Sequence, residues 1–346
     1  MRHPIVTEDL EEIAAAALPF DALSGATVLV TGASGILASY LVEALLHLND
    51  ARGAKLRVLG LVRSAEKARR RFAHYEGRAD LELLVQDVCA PVRVASPVDF
   101  VVHAASPASP KHYGSDPIGT LRPNVSGTEN LLELARAKKT RSFLFFSGGE
   151  VYGTVSPERI PTKETDQGLV DPMNVRSCYA ESKRMGETLC KAWHHQHGVP
   201  AKVARIYHTY GPLMPLDDGR VFADFVADLV AGRDIVMKSD GSAVRVYCYL
   251  ADAVRGFLTL LLQGAPGEAY NLANDEAGAS VLELAERLVA LFPEKKLAVV
   301  RQAPTPDYLA SPIARTMPDV SKLRALGWRP RHSIESGFRR TVLSYS

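Results

Sequence analysis

From Thr27 onward, short apolar runs alternate with helical stretches, and this alternation limits the possible folds more than any other feature of the chain. Thr27-Val30, Leu56-Val62, Leu81-Val85, Phe100-His103 and Phe143-Phe146 read as short apolar strands, and a helix around Ala38-Leu46 follows the first of them. Apolar strands separated by helices predict an α/β chain built on a parallel, doubly wound sheet.

The chain has 346 residues and no linker-like segment, which predicts one large domain carrying a smaller lobe. Residues 1–24 are acidic, then alanine-rich, and read as a helical extension packed outside the sheet, with Ile13, Leu18 and Phe20 as its apolar stripe. Residues 25–211 carry the strand-helix alternation. Beyond Gly211, turns such as Asp217-Asp218-Gly219 interrupt shorter elements, so residues 212–346 read mainly as the lobe, with some segments crossing between the two.

With 41 basic and 39 acidic residues the net charge is +2, and nothing calls for nucleic acid or an anionic membrane as partner. The four cysteines are scattered without paired spacing, no apolar stretch is long enough to span a bilayer, and no secretory leader pattern opens the sequence. A reducing, cytoplasmic setting is the expectation.

The first strand runs into Thr31-Gly32-Ala33-Ser34-Gly35-Ile36-Leu37-Ala38 and then a helix. Glycines at a strand-to-helix turn let the backbone approach a pyrophosphate, which the free N–H groups and dipole of the helix N-terminus stabilise. A dinucleotide is therefore the expected ligand. At the end of the second strand, where an acidic residue would bind the ribose of NAD, stands Arg63, and this leaves NADP open. Asp87 and Val88, after the third strand, suit an adenine edge.

Tyr179 and Lys183 are spaced i, i+4 in a helical stretch, which puts them on one face. An ammonium beside a phenol, together with a positive nicotinamide, predicts a lowered tyrosine pKa and a general base.

Together with Phe146-Ser147-Gly148-Gly149-Glu150-Val151-Tyr152-Gly153 and Arg205-Ile206-Tyr207-His208-Thr209-Tyr210-Gly211-Pro212, these motifs resemble the extended short-chain dehydrogenases/reductases that remodel nucleotide sugars. Within that group the resemblance is greatest to the UDP-glucuronate decarboxylases, carried further by His103-Ala104-Ala105-Ser106-Pro107, Asp218-Gly219-Arg220-Val221 and Leu326-Gly327-Trp328-Arg329-Pro330. It implies a Rossmann domain with a C-terminal substrate-binding lobe, a homodimer, no metal, and a nicotinamide cofactor, NAD by family norm, held tightly and recycled. Gly32, Ser34, Gly35, Ile36, Leu37, Arg63, Asp87, Val88, Ala104, Ala105, Ser106, Lys183, Tyr207 and His208 would hold the cofactor. Tyr179, Lys183 and Glu150 would do the chemistry. Ser147, Gly148, Gly149, Arg220, Val221, Arg245 and Arg315 would meet a nucleotide-diphosphate sugar, UDP-linked in the nearest group.

Three departures from the family pattern bear on the reaction. Gly148 replaces a serine or threonine whose hydroxyl bridges tyrosine and sugar; Ser147 is one residue too early, its side chain on the other face of the strand. Gly149 stands where dehydratases carry an aspartate, so dehydration lacks its acid, and His208 stands where asparagine is usual. Decarboxylation through a transient 4-ketone ranks first. C4 or C5 epimerisation, 4,6-dehydration, a dehydrogenase with exchanging cofactor, and a nucleotide-sugar-binding protein with impaired chemistry remain as alternatives.

Overall fold

The computed structural model describes residues 2–302 and 313–346. Its centre is a seven-stranded sheet of β1 (Thr27–Thr31), β2 (Arg57–Val62), β3 (Leu81–Val85), β4 (Phe100–His103), β5 (Ser142–Gly148), β6 (Ala201–Ile206) and β7 (Ala269–Leu272). The spatial order is β7-β6-β5-β4-β1-β2-β3, and every pairing is parallel. All residues of β1, β4 and β5 are buried, as expected for strands covered on both faces. The strand order reverses between β1 and β4, and the crevice at their carboxyl ends is where an open α/β sheet binds its ligand.

Helices α1 (Pro4–Ala14), α2 (Ile36–Arg52), α3 (Pro117–Asn124), α4 (Ser126–Lys138), α5 (Cys178–His197), α6 (Val221–Val230), α7 (Leu250–Gln263), α8 (Val281–Ala290) and α9 (Ile334–Leu343) surround the sheets. A second sheet pairs His208–Tyr210 with Val244–Tyr249 in parallel and Gly278–Ser280 antiparallel to the latter, and with α6, α8 and α9 it forms the smaller lobe. The chain beyond residue 211 is not confined to that lobe: α7 packs on β5 and β6, and β7 completes the large sheet.

The N-terminal segment is not one helix. Helix α1 ends at Ala14 and Phe20 lies on a separate short turn at Phe20–Leu23, so Leu18 and Phe20 do not extend the stripe of Ile13. Val6, Leu10 and Ile13 are buried where α1 packs against α2 and α7. Asp9 is fully buried on the same face; its Oδ2 accepts hydrogen bonds from Tyr40 (2.5 Å) and Tyr249 (2.7 Å), and its Oδ1 from Arg340 (2.7 Å). One carboxylate thus ties α1 to α2, to the second sheet and to α9.

Candidate active site

Gly32 leaves β1 with φ +63°, and a Cβ there would lie 2.7 Å from Ala105 Cα, so the ends of β1 and β4 meet only because residue 32 has no side chain. The approach is braced from inside. His103 Nε2 bonds the carbonyl of Pro123 (3.1 Å), its Nδ1 pairs with Thr31 Oγ1 (2.9 Å), and Thr31 Oγ1 accepts from Ala105 N (3.2 Å). Burial lowers the His103 pKa to about 3, so the imidazole is neutral, Nε2 carries the proton, and the threonine hydroxyl donates to Nδ1.

Helix α2 begins at Ile36 behind Gly35 with no side-chain cap, which leaves its first N–H groups directed into the crevice. Across from it, Ser106 Oγ is buried without a hydrogen-bond partner among the described residues. A close backbone turn, an uncapped helix start and an unsatisfied hydroxyl fit a bound pyrophosphate. Gly32, Ser34, Gly35, Ile36, Leu37, Ala104, Ala105 and Ser106 lie together in this part of the fold. At the edge of the crevice Arg63 is exposed, Val88 is buried, and Asp87 accepts from Cys89 N (2.9 Å), the bond that chiefly holds its carboxyl below the usual range.

On α5, Tyr179 and Lys183 are both buried, and the Tyr179 ring stacks on Tyr113 with centroids 5.1 Å apart. Lys183 Nζ donates to the Phe146 carbonyl (2.6 Å) and lies 5.6 Å from the Tyr179 ring centre. Burial lowers the lysine pKa to about 7, with Glu187 the main opposing influence. The expected depression of the tyrosine pKa is not provided by the charges of the described residues. Burial pushes the Tyr179 phenol up, Glu150 adds to that, and among the described residues Arg220 opposes.

The turn after β5 explains the two glycines. A Cβ at Gly148 would lie 3.0 Å from Tyr179 Oη, so this is where a bridging hydroxyl would stand. A Cβ at Gly149 would lie 2.5 Å from Tyr207 Cε1, so the Tyr207 ring occupies the space a side chain would need. Ser147 faces away from this turn and donates to Glu187 Oε1 (2.6 Å), which removes it from the substrate set. The Tyr207 ring walls Gly149, and its hydroxyl donates to Asn271 Oδ1 (3.3 Å).

Glu150 sits beside three arginines. Arg176 Nη2 is 3.9 Å from its carboxylate, and Arg176, Arg245 and Arg220 all lower its pKa, against burial, which prevails and raises it. Arg220 pairs with Asp218 and precedes Val221, the first residue of α6. Arg245 donates to the carbonyls of Val244 (2.8 Å), Ile313 (2.7 Å) and Ala314 (3.2 Å). Arg315 pairs by its backbone with Val244 but is exposed, and its guanidinium turns to Met317 Sδ.

His208, assigned to the cofactor from the sequence, packs edge-on against Phe222 and lies near Tyr247, and its ring is kept neutral by burial and by Arg245 and Arg220. Its ring therefore belongs to the arginine side of the cleft rather than to the glycine turn. Two residues of the site were missed. Tyr113 is remote in sequence, and Arg176, three positions before Tyr179, reads as an ordinary loop charge until the fold sets it over the Tyr113 ring (5.6 Å).

A dinucleotide crevice at the switch point and a tyrosine-lysine pair at its edge define a nicotinamide-dependent enzyme of the extended short-chain dehydrogenase/reductase class. The chain belongs to the NAD dependent epimerase/dehydratase family, whose model matches residues 28–273. It is 36% identical over 316 residues to UDP-glucuronic acid decarboxylase 6 of Arabidopsis thaliana, covering 91% of this chain and 87% of that protein. To UDP-glucuronic acid decarboxylase 1 of Danio rerio it is 34% identical over 320 residues, 92% of this chain and 72% of that one. Among solved structures, epimerase Mth375 of Methanothermobacter thermautotrophicus superposes with a TM-score of 0.80 at 25% identity, covering 99% of this chain and 96% of its own. UDP-glucuronic acid 4-epimerase from Bacillus cereus, in complex with UDP-glucuronic acid and NAD, shares the fold at TM-score 0.76 and 24% identity, covering 92% of this chain and 98% of its own. Among the described residues no helix is long and apolar enough to cross a membrane.

Proposed function

We propose that this chain decarboxylates UDP-glucuronate to a UDP-pentose through a 4-keto sugar, with NAD retained and recycled. The observation that carries the reading is the set of Arg176, Arg220 and Arg245 around Glu150, beside Tyr179. Three guanidinium groups suit a sugar that is acidic at C6 as well as phosphorylated, whereas a neutral hexose brings no charge for them there. The decarboxylase relatives support the same choice, and Gly149 counts against dehydration because Tyr207 fills the position of the missing acid.

When bound, the nicotinamide dinucleotide supplies a hydride acceptor, and afterwards a donor, at the sugar C4. Tyr179 takes the proton of the 4-hydroxyl as that hydride leaves, and Lys183 holds positive charge near the forming phenolate. The resulting C4 ketone makes the C6 carboxylate a β-keto acid, which loses carbon dioxide without a strong acid. Glu150, whose affinity for protons is raised by burial, then holds the proton that C5 receives. Tyr179 returns its proton to the C4 oxygen when the ketone is reduced again.

NAD rather than NADP fits a crevice whose edge carries Asp87 as well as Arg63. A homodimer is part of the proposal, with exposed Ile118 and Met185 on the packed helices α3 and α5 as its apolar contacts, and four free thiols suit a reducing cytoplasm. The test is mass spectrometry of UDP-glucuronate incubated with the NAD-loaded protein. Loss of carbon dioxide from the nucleotide sugar is the expected result; unchanged mass with an inverted C4 or C5 would establish epimerisation instead.

A further inference from the structure

We propose that Glu187, acting with Ser147 and Arg205, is a positioning residue of this site: it fixes the Glu150 turn against the helix of Tyr179 and Lys183 and holds Lys183 as a cation. The inference rests on the Tyr179 and Lys183 roles proposed above. Glu187 lies one turn beyond Lys183 on α5, on the same face. Its Oε1 accepts from Ser147 Oγ (2.6 Å) and Arg205 Nε (3.0 Å), and its Oε2 from Arg205 Nη2 (2.7 Å).

These bonds bracket the turn that carries the chemistry. Ser147 immediately precedes Gly148, Gly149 and Glu150. On the far side Arg205 Nη1 donates to Tyr152 Oη (2.8 Å), so one carboxylate secures residue 147 directly and residue 152 through an arginine. Two neighbours on α5 add to the grip, Lys183 on the Phe146 carbonyl (2.6 Å) and Arg184 on the Val151 carbonyl (2.7 Å). The gap between Gly148 and Tyr179 Oη, and with it the place of the sugar C4, is set by this clamp.

A buried ion pair is weak evidence for stability, since desolvation offsets much of its attraction, so a role beyond holding the fold is reasonable for Glu187 and Arg205, whose side chains are 14% and 13% exposed. The charges that face Lys183 make that role specific. From its own helix come Tyr179, Glu187 and Cys190; from β4 comes neutral His103; β6 offers Arg205, already paired with Glu187; and β5 presents only the Phe145 ring and the Phe146 carbonyl. Glu187 is the carboxylate among them. Burial brings the Lys183 pKa down to about 7, and Glu187 is the strongest influence holding it up. A lysine so placed is charged below that value and loses its charge as pH rises through it.

The experiment compares the pH dependence of bound-nicotinamide reduction by UDP-glucuronate in NAD-loaded wild-type chain, E187Q, S147A and S147T, with carbon dioxide release followed in parallel and folded fraction checked by thermal melting. E187Q is expected to slow reduction by about tenfold and to move the alkaline limb about one pH unit lower, because its amide no longer favours the ammonium. S147A is expected to slow reduction several-fold, on the scale of a mispositioned group, with the limb unmoved, and S147T to recover most of that loss. An unmoved limb in E187Q, or an S147A rate equal to wild type at equal folded fraction, would overturn the proposal; the second readout serves even where E187Q does not fold. Nicotinamide reduction without carbon dioxide release would count against the decarboxylase reading while leaving these comparisons decisive for Glu187.

Discussion

At the scale of single residues the site is defined as much by two missing side chains as by those present. Gly148 leaves the neighbourhood of Tyr179 Oη without the hydroxyl that the family resemblance places there, and a small side chain fits once the phenol gives by a few tenths of an ångström, its Cβ otherwise 3.0 Å from the phenol oxygen. G148S is therefore expected to raise kcat about tenfold, the lower end of what a positioned proton relay contributes, with KM for UDP-glucuronate within about twofold. Steady-state assay of carbon dioxide release checks it, and a fall in kcat would mean that the small residue is required. Gly149 differs, because Tyr207 already stands where its side chain would go and is held by Asn271. G149D is expected to cost about 1–3 kcal/mol of stability in urea denaturation through overpacking. It should confer no dehydration of UDP-glucose or any other hexose.

At the scale of elements, the strands readable in the sequence are those whose apolar runs are broken, if at all, only by exposed charges such as Arg57 in β2 and Glu82 in β3. Those runs gave β1 to β5 with ends shifted by two residues or fewer. β6 and β7 were not readable, because Arg205 and Asn271 interrupt them, and those polar groups are tolerated only through partners from distant segments: Glu187, Tyr152 and Glu164 for the arginine, Tyr152, Thr162 and Asp319 for the asparagine. The glycine turn and the tyrosine-lysine pair were legible because spacing along one element carries their geometry, and Glu150 was singled out by the family resemblance alone. Tyr113, Arg176 and the pairing of Ser147 with Glu187 were not, since each depends on which elements pack together. The same holds for α1, whose acidic sequence gives no sign that Asp9 is a buried junction. D9A would leave Tyr40 and Tyr249 without their shared acceptor and Arg340 with the exposed Glu8 in place of its buried carboxylate, and should destabilise the chain by about 3 kcal/mol. Urea denaturation reads this, and a change below about 0.5 kcal/mol would show that α1 is not stapled through Asp9.

At the scale of the whole molecule, the sheet supplies the crevice, the second lobe supplies Arg220 and Arg245, and the turn between β5 and Tyr152 brings Glu150 to the seam. The central claim is that this arrangement oxidises C4, releases C6 and returns the hydride to the same sugar. The most direct measurement uses UDP-glucuronate labelled with carbon-13 at C6 and deuterium at C4, incubated with NAD-loaded protein and no added cofactor. The account predicts many turnovers per chain, carbon-13 recovered as carbon dioxide, and deuterium retained at C4 of a UDP-pentose. Carbon-13 remaining in the nucleotide sugar, or reduced cofactor accumulating after one turnover, would contradict it.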